Sequence, residues 1–205
     1  MSLAREAFDG VSATDVAEGW EERWREFHHG VRIGQLWVGP PWEAVPAELQ
    51  AVVIEPGRAF GTGAHPTTRR CVELLAELPR GSLLDVGCGS GVLSVAAARL
   101  GFAPVYAVDH DPVAVEATAA NAEANGVDVR AQAADALEGE LPVTDVAVAN
   151  LTLEDVRRLA PLICSSHLVT SGYLDTDWPA LDDWQHLRRV TDDGWAADVW
   201  VPAGE

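Results

Sequence analysis

The chain has 205 residues, 48% of them apolar and 22% charged, with 32 acidic residues against 14 basic ones and a net charge of −18. That length and balance suit one globular domain with a small appendage. Every basic residue is arginine, which excludes Schiff-base and lysine general-base chemistry, and the negative charge argues against direct nucleic-acid binding because it repels phosphate backbones.

In chain order, Val16, Trp20, Trp24 and Phe27 recur at helical spacing between a Ser12 cap and a Gly30 stop. "VRIGQLWVG" then alternates Val31, Ile33 and the run Leu36 to Val38, the pattern of an extended piece. These elements either pack their tryptophans on the core or form a wall of the substrate site. The eight tryptophans all fall before residue 43 or after residue 177, which sets a leading segment, 1–50, apart from the main domain, 51–205. Within that domain, "TTRRCVELLAELPRG" places Cys71, Leu74, Leu75 and Leu78 on one helical face and stops at Pro79 and Gly81. A short buried strand over 82–86 leads into a glycine turn and a helix that runs to Leu100 and is closed by Gly101. "PVYAVD" is a strand, and the helix after it opens with an Asp111 cap and Pro112 and closes at Gly126. "VDVRAQAAD" and "TDVAVAN" are two more strands, the first ending at Asp135. In the tail, "HLVTSG" predicts a strand, "DTDWPALDDW" a short helix, and "HLRRV-TDDG-WAADVWV" two strands around a turn. Strands alternating with helices make an α/β fold with a parallel sheet, here finished by an antiparallel hairpin.

No apolar run approaches the roughly 20 residues that span a bilayer, and "MSLAREAFDGV" lacks the basic and apolar regions of a secretory signal. Cys71, Cys88 and Cys164 are scattered and form no CxxC, which points to reduced thiols, no zinc site and a cytoplasmic protein without a membrane partner. The acidic surface reads either as a solvated face or as an attraction for a basic, lysine-bearing partner.

The chemistry starts at "LLDVGCGSGVL", where Gly87, Gly89 and Gly91 alternate after Asp85. The three missing side chains make room for something that approaches the backbone. A dinucleotide fingerprint needs a glycine where Val92 stands, so a pyrophosphate seat on the helix end is not indicated. Asp109, at the end of the next strand, suits the two hydroxyls of a ribose, and Asp135 the exocyclic amine of an adenine. An adenosine without pyrophosphate describes S-adenosyl-L-methionine. Upstream, "VVIEPGRAFGTGAHPTT" places Phe60, Gly61, Thr62, Gly63 and His65 in a loop just before a helix. Gly61 and Gly63 let that loop close over a sulfonium, and Phe60 offers the cation a π face.

With these motifs the sequence resembles the ribosomal protein L11 methyltransferase family. The resemblance runs through "FGTGAHPTT", "LLDVGCGSGVL", "VDHDP", "ANAEANG", "VANL" and "TSGYL" over residues 18–175, and "WEERWRE" looks like the tryptophan-rich linker before the family's catalytic domain. It implies a Rossmann-like, class I S-adenosylmethionine-dependent methyltransferase fold, with a mostly parallel seven-stranded sheet ending in an antiparallel hairpin. It also implies cofactor contacts at Thr68, Gly87, Asp109 and Asn150; Phe60, Thr62, Gly89 and Asp135 stand beside them as further candidate contacts. Thr68 either donates to the cofactor's carboxylate or caps its own helix. The Asn150 carbonyl can orient an acceptor amine; Asn150-Leu151-Thr152 lacks the diproline of base-methylating enzymes. His65 is either the group that removes the amine proton or a holder of the loop, since an imidazole titrates near neutrality.

Family members carry a separate N-terminal domain that grips the ribosomal protein, whereas residues 1–17 alone precede the linker-like helix here. The sequence therefore reads either as a trimmed chain or, the preferred reading, as a short relative with another target. The expected activity is N-methylation of a protein amine, on lysine or an N-terminus, with ribosomal protein L11 among the acceptors. The rival readings are a small-molecule amine methyltransferase, a non-catalytic cofactor-binding regulator and a nucleotide-dependent oxidoreductase, the last disfavoured by Val92. The oligomeric state is open.

Overall fold

The structure, a computed structural model, describes residues 28–56 and 63–204. The helix expected around Trp20 and Trp24, together with Phe60, Gly61 and Thr62, lies outside the described residues.

A small sheet comes first, formed by β1 (Val31–Ile33), β2 (Leu36–Gly39) and β3 (Gln50–Val53) in that order. The expected single extended piece is a hairpin, β1 running antiparallel to β2 around Gly34 at φ +58°, while β3 joins β2 in parallel. The main sheet has seven strands: β4 (Leu83–Val86), β5 (Val105–Asp109), β6 (Val129–Ala133), β7 (Thr144–Asn150), β8 (Ser165–Leu174), β9 (Trp184–Asp192) and β10 (Trp195–Pro202). Their order is β6-β5-β4-β7-β8-β10-β9, parallel from β6 to β8 and antiparallel at β10 and β9. The β9–β10 turn places Asp193 and Gly194 at positive φ, as a two-residue hairpin of matching twist requires. Because the chain moves outward from β4 through β5 to β6 and then returns to β7, the strand order reverses between β4 and β7. In open sheets that switch point holds the ligand, beyond the carboxyl ends of the strands.

Among the described residues four helices cover the sheet: α1 (Pro66–Glu77), α2 (Val92–Leu100), α3 (Pro112–Asn125) and α4 (Leu153–Leu159), the last running into a 3-10 turn at Ala160–Leu162. Asp111 caps α3 by accepting from Val113 N, and Gly101 and Gly126 close α2 and α3 in the left-handed conformation. Strand β4 alternates its side chains between two cores, Leu83 facing α1 and α2 on one side, Leu84 and Val86 facing α4 on the other. Among the described residues no helix is long and apolar enough to cross a membrane.

Two expectations are corrected. Residues 175–183 form turns rather than a short helix. Pro179 sits mid-segment, and the carbonyls a helix would use are given away: Asp175 O and Asp177 O accept from Arg189, and Trp178 O from Arg157. Strand β6 ends at Ala133, so Asp135 lies in the following turn, its carboxylate accepting from Leu137 N at 2.9 Å. Helix α4 is an addition that the sequence reading passed over. Its Thr152 cap accepts from Asp155 N, with Glu154 and Asp155 in the first turn and Arg157 and Arg158 in the last, a charge order that suits the helix dipole.

Candidate functional site

The turn after β4 sits at the switch point. Gly87, Gly89 and Gly91 have φ of +73°, +54° and +79°, the left-handed region that side chains with a Cβ resist. Gly87 N and Cys88 N both donate to Val108 O, at 2.8 and 3.1 Å, and Gly89 N donates to Asp109 Oδ2 at 3.0 Å. The space left at two of the glycines is taken by the protein itself. A Cβ at Gly87 would lie 2.4 Å from Leu151 Cδ2, and one at Gly91 would lie 2.8 Å from Thr118 Cγ2. The idea that all three missing side chains make room for a ligand is thereby corrected: backbone conformation and the Leu151 and Thr118 contacts account for Gly87 and Gly91.

Room for a ligand lies next to the turn, in two adjoining cavities that share Gly87, Asp109, His110 and Leu151. One, about 250 Å³, is also lined by Val86, Ala134, Asp135, Leu137 and Asp155. The other, about 210 Å³, reaches Thr68, Gly89, Val92, Leu93 and Asn150. The carboxylate of Asp109 stands between them with one backbone N–H on each oxygen, Gly89 N on Oδ2 and Asp111 N on Oδ1, both at 3.0 Å. Oδ2 keeps a lone pair for a further donor, while Oδ1 also has His110 Nδ1 at 3.4 Å. One step before the turn, Asp85 is fully buried, and its desolvation pushes the carboxyl up to about 6 against the hydrogen bond from Ser94 Oγ at 2.6 Å. Burial likewise raises the Cys88 thiol to about 12, so Cys88 is a neutral filler, as its place in the turn suggested.

Two asparagines of α3 do work that the sequence reading gave to no residue. Asn121 Nδ2 donates to Ser90 O in the turn at 2.8 Å, while its Oδ1 accepts from Glu55 N at 3.0 Å. Asn125 pairs with Val53 both ways, accepting from its N at 2.8 Å and donating to its O at 2.6 Å. Set four apart, they share one helix face and fasten the segment after β3, which leads toward residues 57–62, to the glycine turn. The repeated Asn in "ANAEANG" was the available signal.

On the far side of the switch point, β7 ends at Asn150. Leu151 N donates to Ser171 O at 2.9 Å, and β8 comes so close that a Cβ at Gly172, φ +103°, would meet Leu151 O at 2.0 Å. This clamp holds the segment that lacks a diproline. Facing Asn150 is the start of α1. Its N-cap is His65, whose Nδ1 accepts from Thr67 N at 3.3 Å and lies 2.8 Å from Thr67 Oγ1. Thr67 Oγ1 in turn accepts from Asn150 Nδ2 at 3.2 Å. The His65 ring meets Trp195 edge-on, with centroids 4.9 Å apart. Thr68, Gly87, Gly89, Asp109 and Asn150 therefore surround one cavity, Asp135 lines its neighbour, and His65 joins Asn150 through Thr67, which the sequence reading did not single out.

An open, mostly parallel seven-stranded sheet, with a glycine turn at its switch point and an aspartate closing the next strand, is the class I S-adenosylmethionine-dependent methyltransferase fold. The structure is similar to a ribosomal protein L11 methylase from Lactobacillus delbrueckii subsp. bulgaricus, with a TM-score of 0.77 and 25% identity, covering 86% of this chain and 100% of that one. A family model for ribosomal protein L11 methyltransferases (PrmA) matches residues 5–198, and the chain belongs to that family. Ribosomal protein L11 methyltransferases of Vibrio campbellii and Escherichia coli O1:K1 are 42% and 43% identical to it, over 82% and 76% of this chain. The chain spans 60% and 54% of the length of those two relatives. Family and fold together imply use of S-adenosyl-L-methionine.

Proposed function

We propose that the chain is an S-adenosyl-L-methionine-dependent N-methyltransferase acting in the cytoplasm on an amine of a protein, with ribosomal protein L11, named for its relatives, as the first acceptor to test. In this reading residues 51–205 are the methyltransferase domain and residues 1–50 a linker-like segment. The observation that carries it is the convergence of Thr68, Gly87, Gly89, Asp109 and Asn150 on one cavity at the switch point. The lining fits this cofactor better than a dinucleotide. Asp109, Asp135 and Asp155 face the cavities, and among the described residues no arginine lines either of them, so a pyrophosphate there would meet carboxylates.

When bound, the cofactor supplies a methyl group already activated on a sulfonium. The chain's part is to bind, align and desolvate. Asp109 accepts from the ribose hydroxyls through its remaining lone pairs, and Asp135 accepts from the exocyclic amine of the adenine. Gly89 keeps the backbone accessible, Gly87 lines the cavity beside Leu151, and Thr68 donates its hydroxyl toward the methionine carboxylate. Phe60 and Thr62 remain cofactor contacts proposed from the sequence motif alone. Asn150 takes an N–H of the acceptor amine on its carbonyl. The Nδ1 of His65 is engaged by Thr67, which favours His65 as the holder of this helix end over a general base.

Purified protein incubated with methyl-labelled cofactor and host lysate, with and without ribosomes, and with isolated L11, tests the reading. Label is expected in acid-precipitable material that comigrates with L11. Label confined to small molecules moves the acceptor to a free amine. Absence of both transfer and S-adenosylhomocysteine binding overturns the proposal.

A further inference from the structure

We infer that Thr67 is a positioning residue: its hydroxyl sets the amide of Asn150 so that the carbonyl, not the NH2, faces the cavity and receives an amine N–H. The inference rests on the functional reading above for what that amine is. Thr67 is 2% exposed on the first turn of α1, and it lines neither cavity beside the glycine turn. The direction of its hydrogen bonds follows from counting protons. Thr67 N–H donates to His65 Nδ1 at 3.3 Å, so that nitrogen carries a lone pair. The Thr67 hydroxyl, 2.8 Å from the same nitrogen, therefore donates its single proton to it. That leaves the Thr67 oxygen only lone pairs toward Asn150, 3.2 Å away, and only an N–H of the Asn150 amide can complete the contact.

The series Asn150 Nδ2–H to Thr67 Oγ1–H to His65 Nδ1 thus runs one way, and the N-cap of α1 is its last acceptor. A flipped amide would set the Asn150 carbonyl against an oxygen with no proton left to give. Asn150 itself lines the 210 Å³ cavity beside Gly87 and Asp109, so the outward carbonyl is offered to an amine. Two amines have the chemistry to use it, the acceptor's and the α-amine of a methionine-bearing ligand.

The test compares Thr67→Val, which keeps shape and loses the hydroxyl, with Thr67→Ser, which keeps the hydroxyl. The first readout is the Asn150 side-chain amide in 1H–15N spectra, assigned by its disappearance in Asn150→Ala. Thr67→Val is expected to shift those signals and Thr67→Ser to restore them. If Thr67→Val does not fold, Thr67→Ala takes its place. The second readout is S-adenosylhomocysteine binding by calorimetry beside kcat and KM on L11. An affinity weakened about tenfold, one lost hydrogen bond, assigns the carbonyl to the ligand's α-amine; unchanged affinity with kcat down about tenfold assigns it to the acceptor. Added to Asn150→Ala, Thr67→Val should cost nothing more. Asn150 amide signals unmoved by loss of the hydroxyl would overturn the inference. A wild-type protein that transfers no methyl would count against the proposed function, while the spectra still decide the role of Thr67.

Discussion

On the β4–β6 side of the sheet, the buried polar side chains are Ser90, Ser94, Thr118, Asn121, Asn125 and one carboxylate, Asp85, hydrogen-bonded by Ser94. On the β8–β10 side they surround Asp198, which is fully buried and meets four donors. His186 Nε2 and Arg189 Nε reach its Oδ1 at 2.8 and 2.9 Å, and Arg189 Nη2 and the Tyr173 hydroxyl reach its Oδ2 at 2.9 and 2.8 Å. Trp178 stacks on Arg189 and packs against His186 and Trp200. The first half leaves acceptors open beside a hollow; the second is closed, every lone pair of its carboxylate used. A half that must receive a ligand cannot satisfy all its own polar groups, and the half that braces it can.

The largest effect expected from this contrast is on stability. Asp198→Ala strands a half-buried guanidinium and imidazole and a buried phenol, and should cost about 3–5 kcal/mol in chemical denaturation. A loss below about 1 kcal/mol would mean that the cluster is solvated in solution and the contrast is false. Asp85→Asn should act in the opposite sense. The folded-state pKa of Asp85 is raised from 3.8 to about 6, so the wild type keeps full stability below the unfolded value and loses it as pH rises through the folded one. Asp85→Asn, which still accepts from Ser94, should match the wild type at about pH 4 and exceed it by roughly 2–3 kcal/mol at pH 8. Melting curves that stay parallel from pH 4 to pH 8 would rule out the buried charge.

Asp109→Ala is expected to weaken S-adenosylhomocysteine binding by about 1–3 kcal/mol in calorimetry while leaving the Asp198 cluster intact. Unchanged affinity would refute the ribose role. The smallest effect is local. Asn125→Ala removes both bonds to Val53 and should cost about 1–2 kcal/mol, read most directly as faster hydrogen exchange at the Val53 amide. Protection there equal to wild type would show that the small sheet does not depend on α3.

Much of the first half was legible because its signals are local. The Asp111 cap, Pro112 and the closing glycines at 101 and 126 each act on a neighbour within a few residues, and the alternation of Leu83, Leu84 and Val86 reports strand and burial together. Helix α4 had a local signal of the same kind, the Thr152 cap with its acidic first turn, and its short length hid it. The segment 175–183 had no such signal. Its carbonyls go to Arg157 and Arg189, which are close only after β8, β9 and α4 have packed.

The alternation of strands and helices and the ligand edge are therefore consequences of period and spacing, which short windows of chain carry. Several candidate residues came from the family resemblance, and the order of strands only from the folded sheet. Why Gly87 has no side chain is another matter, because the contact comes from Leu151 across the switch point. So is the fastening of Val53 and Glu55 by asparagines 72 and 66 residues away. The direction of the Asn150 amide depends on a hydroxyl 83 residues earlier. A hydrogen bond has a donor end and an acceptor end, and which end faces the cavity is settled by a partner that only the folded chain brings near.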